Sequence, residues 1–162
     1  MRIVERPAFE IAGKQAWIDG PDNEQFGRFW QQCRAEGLFG DFDRLKQQMG
    51  QPGGPQTGAA LLGVSRVEKD PANRAFYYMI AVEVDGTHTT DGLERFQVPA
   101  ATWAVFECRG QVPMSIVTAE IYAFTEWLPV SGYRHALAPE MEVYPAAADE
   151  TYCEFWLPVE KV

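Results

Sequence analysis

The chain is 162 residues long and 46% hydrophobic, and its 23 acidic against 14 basic residues give a formal charge of −9. That length suits one well-buried core rather than two, and an acidic chain without a Lys/Arg cluster repels a phosphate backbone, which excludes direct nucleic-acid binding. Neither end reads as a targeting signal and no stretch approaches the roughly 18 apolar residues of a membrane span, so the expectation is a soluble cytoplasmic protein without a membrane partner.

Residues 3–18, IVERPAFEIAGKQAWI, are rich in β-branched and aromatic residues and read as one strand bent at Gly13. Turn residues follow, with an N-cap at Asp22. Phe26, Phe29, Trp30 and Cys33 then recur at i, i+3, i+4 and i+7, which predicts a helix ended by Gly37. Phe42, Leu45 and Met49 predict a short second helix before the loop QPGGPQTG. Residues 60–67 and 75–84 predict two strands joined by the turn EKDPANR, a hairpin. After DGTHTTDG, the run ERFQVPAATWAVFECRG predicts a strand broken at Pro99 and closed by Gly110. Pro113 suits a first helical turn, where its missing N–H does no harm. Val117, Ile121, Phe124 and Leu128 predict that helix's apolar stripe, stopped by Pro129. Residues 135–146 and 151–161 predict a closing hairpin around AADE.

Each half therefore runs strand, helix, strand, strand. The pattern predicts a single domain over residues 1–162, with repeat halves at about 1–86 and 94–162. The fold class is α+β: a tandem β-α-β-β repeat with a pseudo-twofold, an antiparallel sheet, helices on one side and a ligand groove on the other. Cys33, Cys108 and Cys153 are odd in number and widely spaced, which predicts reduced core residues rather than ligands or nucleophiles. His88 and His135 have no metal-site spacing, and no metal or cofactor is expected.

Alternation sorts the last two strands by face. On the final strand Cys153, Phe155, Leu157 and Val159 form one apolar set, the expected helix side, and leave Tyr152, Glu154 and Trp156 on the other. On the preceding strand Met141 and Val143 match the apolar set, which puts Glu142 and Tyr144 with Tyr152, Glu154 and Trp156. Three large rings among two carboxylates on an open face exceed what solubility requires and suit a flat or hydrophobic cation. The bland alternative packs these rings against the loop near residues 38–58, with the acids at its rim. Tyr77 and Tyr78 take opposite sides of their strand, as do Trp103 and Phe106, and alternation does not choose between them; Tyr78 and Trp103 complete the candidate set. Glu140 shares the face of Glu142 but follows Pro139 and reads as a rim residue.

The strand WAVFECRG, the helix ending in EWLPVSGY, the stretch PEMEVY and a closing strand with LPV occur in an order that resembles the AraC-type effector-binding domain, also called the GyrI-like small-molecule-binding domain, over residues 4–159. The resemblance implies a tandem β-α-β-β fold with a groove between the halves and a glutamate on the MEVY strand that engages cationic ligands. That position is Glu142. Tyr152 falls where multidrug-sensing relatives place a pocket tyrosine. The family includes ligand-sensing domains of transcription regulators, stand-alone binding proteins, a gyrase-inhibitory protein and a subset that hydrolyses strained cyclopropanoid compounds. The regulators' helix-turn-helix has no counterpart here, so a stand-alone member is expected.

The leading function is binding of a small hydrophobic, cationic organic molecule, linked to transcription regulation or drug response. Glu142 is the charge partner and Tyr144, Tyr152, Trp156, Tyr78 and Trp103 are ring walls. The alternative is a hydrolase of strained cyclopropanoid or epoxide-like molecules with Glu142 as general base for water, since no conventional nucleophile constellation is present. A third reading is a protein-interaction module of gyrase-inhibitor type. Exposed strand edges would permit a homodimer or a protein partner.

Overall fold

Pro7 causes the first departure from the expected order. Residues 3–18 do not run as one strand: β1 (Arg2–Arg6) and β2 (Phe9–Ile18) are separate, because proline has no N–H to give to a ladder. Gly13 does not end β2. It pairs with Ala81 inside the strand, where a Cβ would collide with the Ile80 carbonyl oxygen.

The computed structural model describes residues 1–20, 23–49, 60–85, 92–145 and 151–162. The other elements are α1 (Glu24–Ala35), α2 (Leu38–Met49), β3 (Leu61–Ser65), β4 (Phe76–Val84), β5 (Glu94–Val98), β6 (Ala101–Arg109), α3 (Met114–Tyr122), β7 (Tyr133–His135), β8 (Glu140–Tyr144) and β9 (Tyr152–Lys161). Asp22, the QPGGPQTG loop, His88 within DGTHTTDG, and the AADE loop lie outside the described residues. Asn23 holds the N-cap position of α1. The chain leaves that helix through Gly37 at φ 82°, a left-handed conformation that glycine adopts freely.

All strands join one antiparallel sheet in the order β1-β6-β9-β8-β3-β4-β2-β5, with β7 added beside β9. Outward from the central β8/β3 pair lie β9, β6 and β1 on one side and β4, β2 and β5 on the other. This is the pseudo-twofold of two β-α-β-β units. Their leading strands are exchanged: β1 precedes β2 but pairs with β6, and β5 precedes β6 but pairs with β2. Only Pro7 and Ala8 link β1 to β2, and only Pro99 and Ala100 link β5 to β6. So short a link spans only about 10 Å, so the two ends of the sheet must approach and the sheet curls. Arg6 of β1 reaches Glu83 of β4 at 2.7 Å across that closure.

Curling buries the sheet on both faces. On the inner face Leu62, Val64, Met79, Met141, Val143, Trp103 and Trp156 form a core without any helix residue. The groove expected opposite the helices is therefore corrected: among the described residues that face is packed side chains. On the outer face Phe29, Cys33, Leu38, Phe42 and Leu45 of α1 and α2 cover Tyr78, Ile80 and Val82. Ile116 and Ala123 cover Phe106, Cys108, Cys153 and Phe155. The helices thus share one side, as expected, and the three cysteines are free and buried.

α3 departs from its expected stripe. Beyond α3 the chain passes through a π-helical turn, Ala123–Trp127, and a 3-10 turn, Leu128–Val130. The wider turn shifts the helix phase. Val117, Phe124 and Leu128 still meet the sheet, but Ile121 turns outward and is 59% exposed.

Candidate functional site

Between the two helical layers the centre of the sheet, β3 and β8, carries the candidate site. β8 pairs with β3 so that Glu142 stands opposite Gly63. A Cβ at Gly63 would collide with the Tyr78 hydroxyl and lie 3.1 Å from Glu142 Oε1. The missing side chain is what lets these two groups meet over the strand. Tyr78 Oη donates to Glu142 Oε1 at 3.2 Å, and Tyr144 Oη donates to the same oxygen at 2.5 Å. Trp30 Nε1 on α1 donates to Tyr78 Oη at 3.0 Å. Alternation along β8 brings Tyr144 to the side of Glu142, and the helical stripe of α1 turns Trp30 to the sheet.

Rings wall this carboxylate. Trp30 meets Tyr144 edge-on with centroids 5.6 Å apart, Phe26 meets Tyr78 edge-on at 4.9 Å, and Phe39 lies 6.1 Å from Trp30. Burial pushes the Glu142 carboxyl above the usual carboxylate range; the Tyr144 and Tyr78 hydroxyls oppose that push and the charge of Glu140 adds to it. Burial and then the charge of Glu142 push both phenols up, so they stay neutral donors.

Glu140, two residues away, is a buried member of an ion cluster rather than the rim residue expected. It is 6% exposed and accepts two hydrogen bonds from Arg74, at 3.1 and 2.9 Å. His135 Nε2 lies 2.8 Å from its Oε2, and the other ring nitrogen lies 2.6 Å from the Ala136 carbonyl. Burial alone would push the Glu140 carboxyl up, but the bonds from His135 and Arg74 outweigh it and hold it low.

Of the expected site residues, the structure brings together Glu142, Tyr144 and Tyr78. It also separates the tyrosine pair: Tyr78 is buried beneath α1, whereas Tyr77 is exposed and packs against Trp17. Tyr152, Trp156 and Trp103 are on the opposite face, which corrects the expected grouping. The register sets Met141 opposite Trp156, Glu142 opposite Phe155 and Val143 opposite Glu154. Tyr152 Oη and Trp156 Nε1 both donate to Glu154, at 2.9 and 3.0 Å. Trp103 is wholly buried, 5.9 Å from Trp156. Matching apolar sets across the two strands fails because both faces of this sheet are apolar.

Sequence reasoning missed Phe39, Gly63 and Glu120, and placed Trp30 and Phe26 only in a helix stripe. Glu120 had a visible signal, because it is the one charged residue in Met114–Tyr122. Burial, followed by the charges of Glu142 and Glu140, pushes its carboxyl up to about 8, with Arg74 opposing. Among the described residues no metal-binding cluster of His, Cys, Asp or Glu occurs, and no helix is long and apolar enough to cross a membrane.

Comparison with known proteins gives this arrangement a lineage. The family of integron-associated effector binding proteins, Cass2, matches residues 2–159. The transcriptional regulator BrlR of Pseudomonas aeruginosa is 30% identical over 115 residues, which make up 69% of this chain. The match spans only 36% of that regulator, about a third of its length. The solved structure of SAV2435 bound to tetraphenylphosphonium superposes with a TM-score of 0.78 at 21% identity, over 98% of this chain and 93% of that one. An integron cassette protein from the mobile metagenome of Vibrio cholerae does so with a TM-score of 0.61 at 12% identity, over 98% and 95%. At such identities the structural likeness establishes the fold alone. Matched along nearly its whole length, the chain belongs to the integron-associated effector-binding protein family.

Proposed function

We propose that this protein binds a lipophilic organic cation, with Glu142 as the charge partner and Trp30, Tyr78 and Tyr144 as ring walls. One observation carries this reading. Both hydroxyls are spent on Oε1 of Glu142, so Oε2 has no hydrogen-bond partner, and no ion pair neutralises the carboxylate, among the described residues. The residue is nonetheless only half-buried, so part of it can be reached. A desolvated carboxylate without a counter-ion is costly, and an entering cation offsets that cost while its apolar body covers the rings. Membership of an effector-binding family supports the reading, as does the lipophilic cation held by SAV2435. A link to transcription regulation rests on BrlR, of which this chain matches only a part.

The test is a titration of tetraphenylphosphonium and a fluorescent lipophilic cation against the wild type and Glu142→Gln. The substitution keeps the shape and removes the charge, and the affinity should fall about tenfold or more. Equal affinities would remove Glu142 from the role. A second reading, water activation for the opening of a strained ring, rests on the raised carboxyl and free Oε2 of the same residue. Ring-opened product from cyclopropanoid or epoxide compounds, lost in Glu142→Gln, would establish it, and no turnover across the panel would overturn it.

A further inference from the structure

α3 is inside out. Its only charged side chain, Glu120, is half-buried and turned toward the sheet, while Met114, Ile121 and Tyr122 of the same helix are exposed. An apolar helix normally does the reverse. Ile116 and Ala123, one helical turn to either side of Glu120, pack with Phe155 and Tyr144, and Phe155 stands opposite Glu142 in the sheet, so the face of α3 that carries Glu120 is turned toward the Glu142 site. The titratable and charged groups that act on it are Glu142 and Glu140 on β8, Cys153 on β9, Arg74 ahead of β4, Tyr78 on β4 and Cys108 on β6. Arg74, the one cation among these, is committed to Glu140. Among the described residues no hydrogen bond or ion pair is made by the Glu120 carboxyl.

We propose that Glu120 is a specificity-determining residue of the Glu142 site, a second carboxyl that meets the ligand's positive charge from the α3 side. The inference rests on the reading of Glu142 given above. In the ligand-free protein burial and the neighbouring carboxylates hold Glu120 up to about 8, so near neutral pH it carries its proton. Two negative charges then do not repel each other in a half-dry site. When a cation enters, the ionised form gains a partner and the proton leaves to solvent. Capture of a cation is thereby coupled to release of a proton, and a neutral ligand of the same shape gains nothing from Glu120.

The experiment is calorimetric titration of tetraphenylphosphonium at pH 7 in two buffers of different ionisation enthalpy, on the wild type and Glu120→Gln, repeated at pH 6 and 8.5. The wild type should release close to one proton per cation at pH 7. Its affinity should rise by up to about tenfold per pH unit below pH 8 and level off above it. Glu120→Gln should release close to one proton fewer than the wild type and lose the rise in affinity that ionisation of Glu120 supplies. It should bind within about threefold of the wild type at pH 6, where Glu120 is neutral, and more weakly by about thirtyfold or more at pH 8.5. Binding without proton release in the wild type, or a release that is equal in the wild type and Glu120→Gln, overturns this inference and leaves Glu142 as the charge partner. Failure of the wild type to bind the cation at all overturns both readings.

Discussion

At the start of β8, Glu140 is enclosed by a guanidinium on two sides and an imidazole on the third. Two residues further along the same face, Glu142 is held by two neutral hydroxyls on one oxygen and by nothing on the other among the described residues. Strand and face are shared, but Glu140 is buried and Glu142 half-buried, and their partners differ. The protein has supplied the countercharge at one end and withheld it at the other. The first carboxylate locks the loop ahead of β4 to the end of β7; the second keeps its negative charge available. That contrast is the strongest argument that Glu142 faces a ligand and Glu140 does not.

The contrast can be broken most directly at Glu140. Glu140→Gln strips Arg74 and His135 of their common acceptor. Breaking a fully buried pair costs about 3–5 kcal/mol, but the Arg74 side chain is 47% exposed, so screening reduces the expected loss to about 2–3 kcal/mol. Urea unfolding measures it. Affinity of the folded variant for tetraphenylphosphonium should stay within about threefold of the wild type, and a loss as large as that of Glu142→Gln would erase the distinction between the two ends of the strand.

Gly63→Ala sharpens the other end. The added methyl must displace the Tyr78 hydroxyl from above the strand, an overpacking cost of about 1–3 kcal/mol. Cation affinity should fall with it although no group in contact with the cation has been removed. Unchanged affinity would mean that the Tyr78 hydroxyl does not orient Glu142.

The smallest effect is the acid dependence of stability. Glu140 is held below the usual range in the folded chain, so its contribution is complete above the unfolded glutamate value of about 4.3 and is lost as pH falls through the folded value. Melting of the wild type between pH 5 and 3 should therefore be steeper in pH than that of Glu140→Gln. Parallel slopes would place the acid sensitivity elsewhere.

Periodicity within single elements was a safe guide. The spacing of Phe26, Phe29, Trp30 and Cys33 identified the inward stripe of α1, and a separation of two put Tyr144 with Glu142. The two hairpins, β3 with β4 and β8 with β9, and the antiparallel α+β repeat were equally legible, because turn residues and apolar alternation act over a few residues. Relations between elements were not legible. Nothing local in residues 3–18 says that β1 crosses to the far edge of the sheet, and the π-helical turn at Ala123–Trp127 has no periodic signature.

The chain alone thus determined that a carboxylate and a tyrosine share one face of β8, and that α3 carries a single acid. Tertiary structure decided which face that was. Exchange of β1 and β5 curls the sheet and makes both of its faces apolar, so hydrophobicity no longer labels a side and only the pairing of Glu142 with Phe155 can. Tyr152 and Trp156 went to the inner face with Trp103. Trp30 and Phe26 came from α1, far away in the sequence, to the two tyrosines that hold Glu142, and Phe39 of α2 came to Trp30, because helix packing on the sheet joins residues that no local pattern relates.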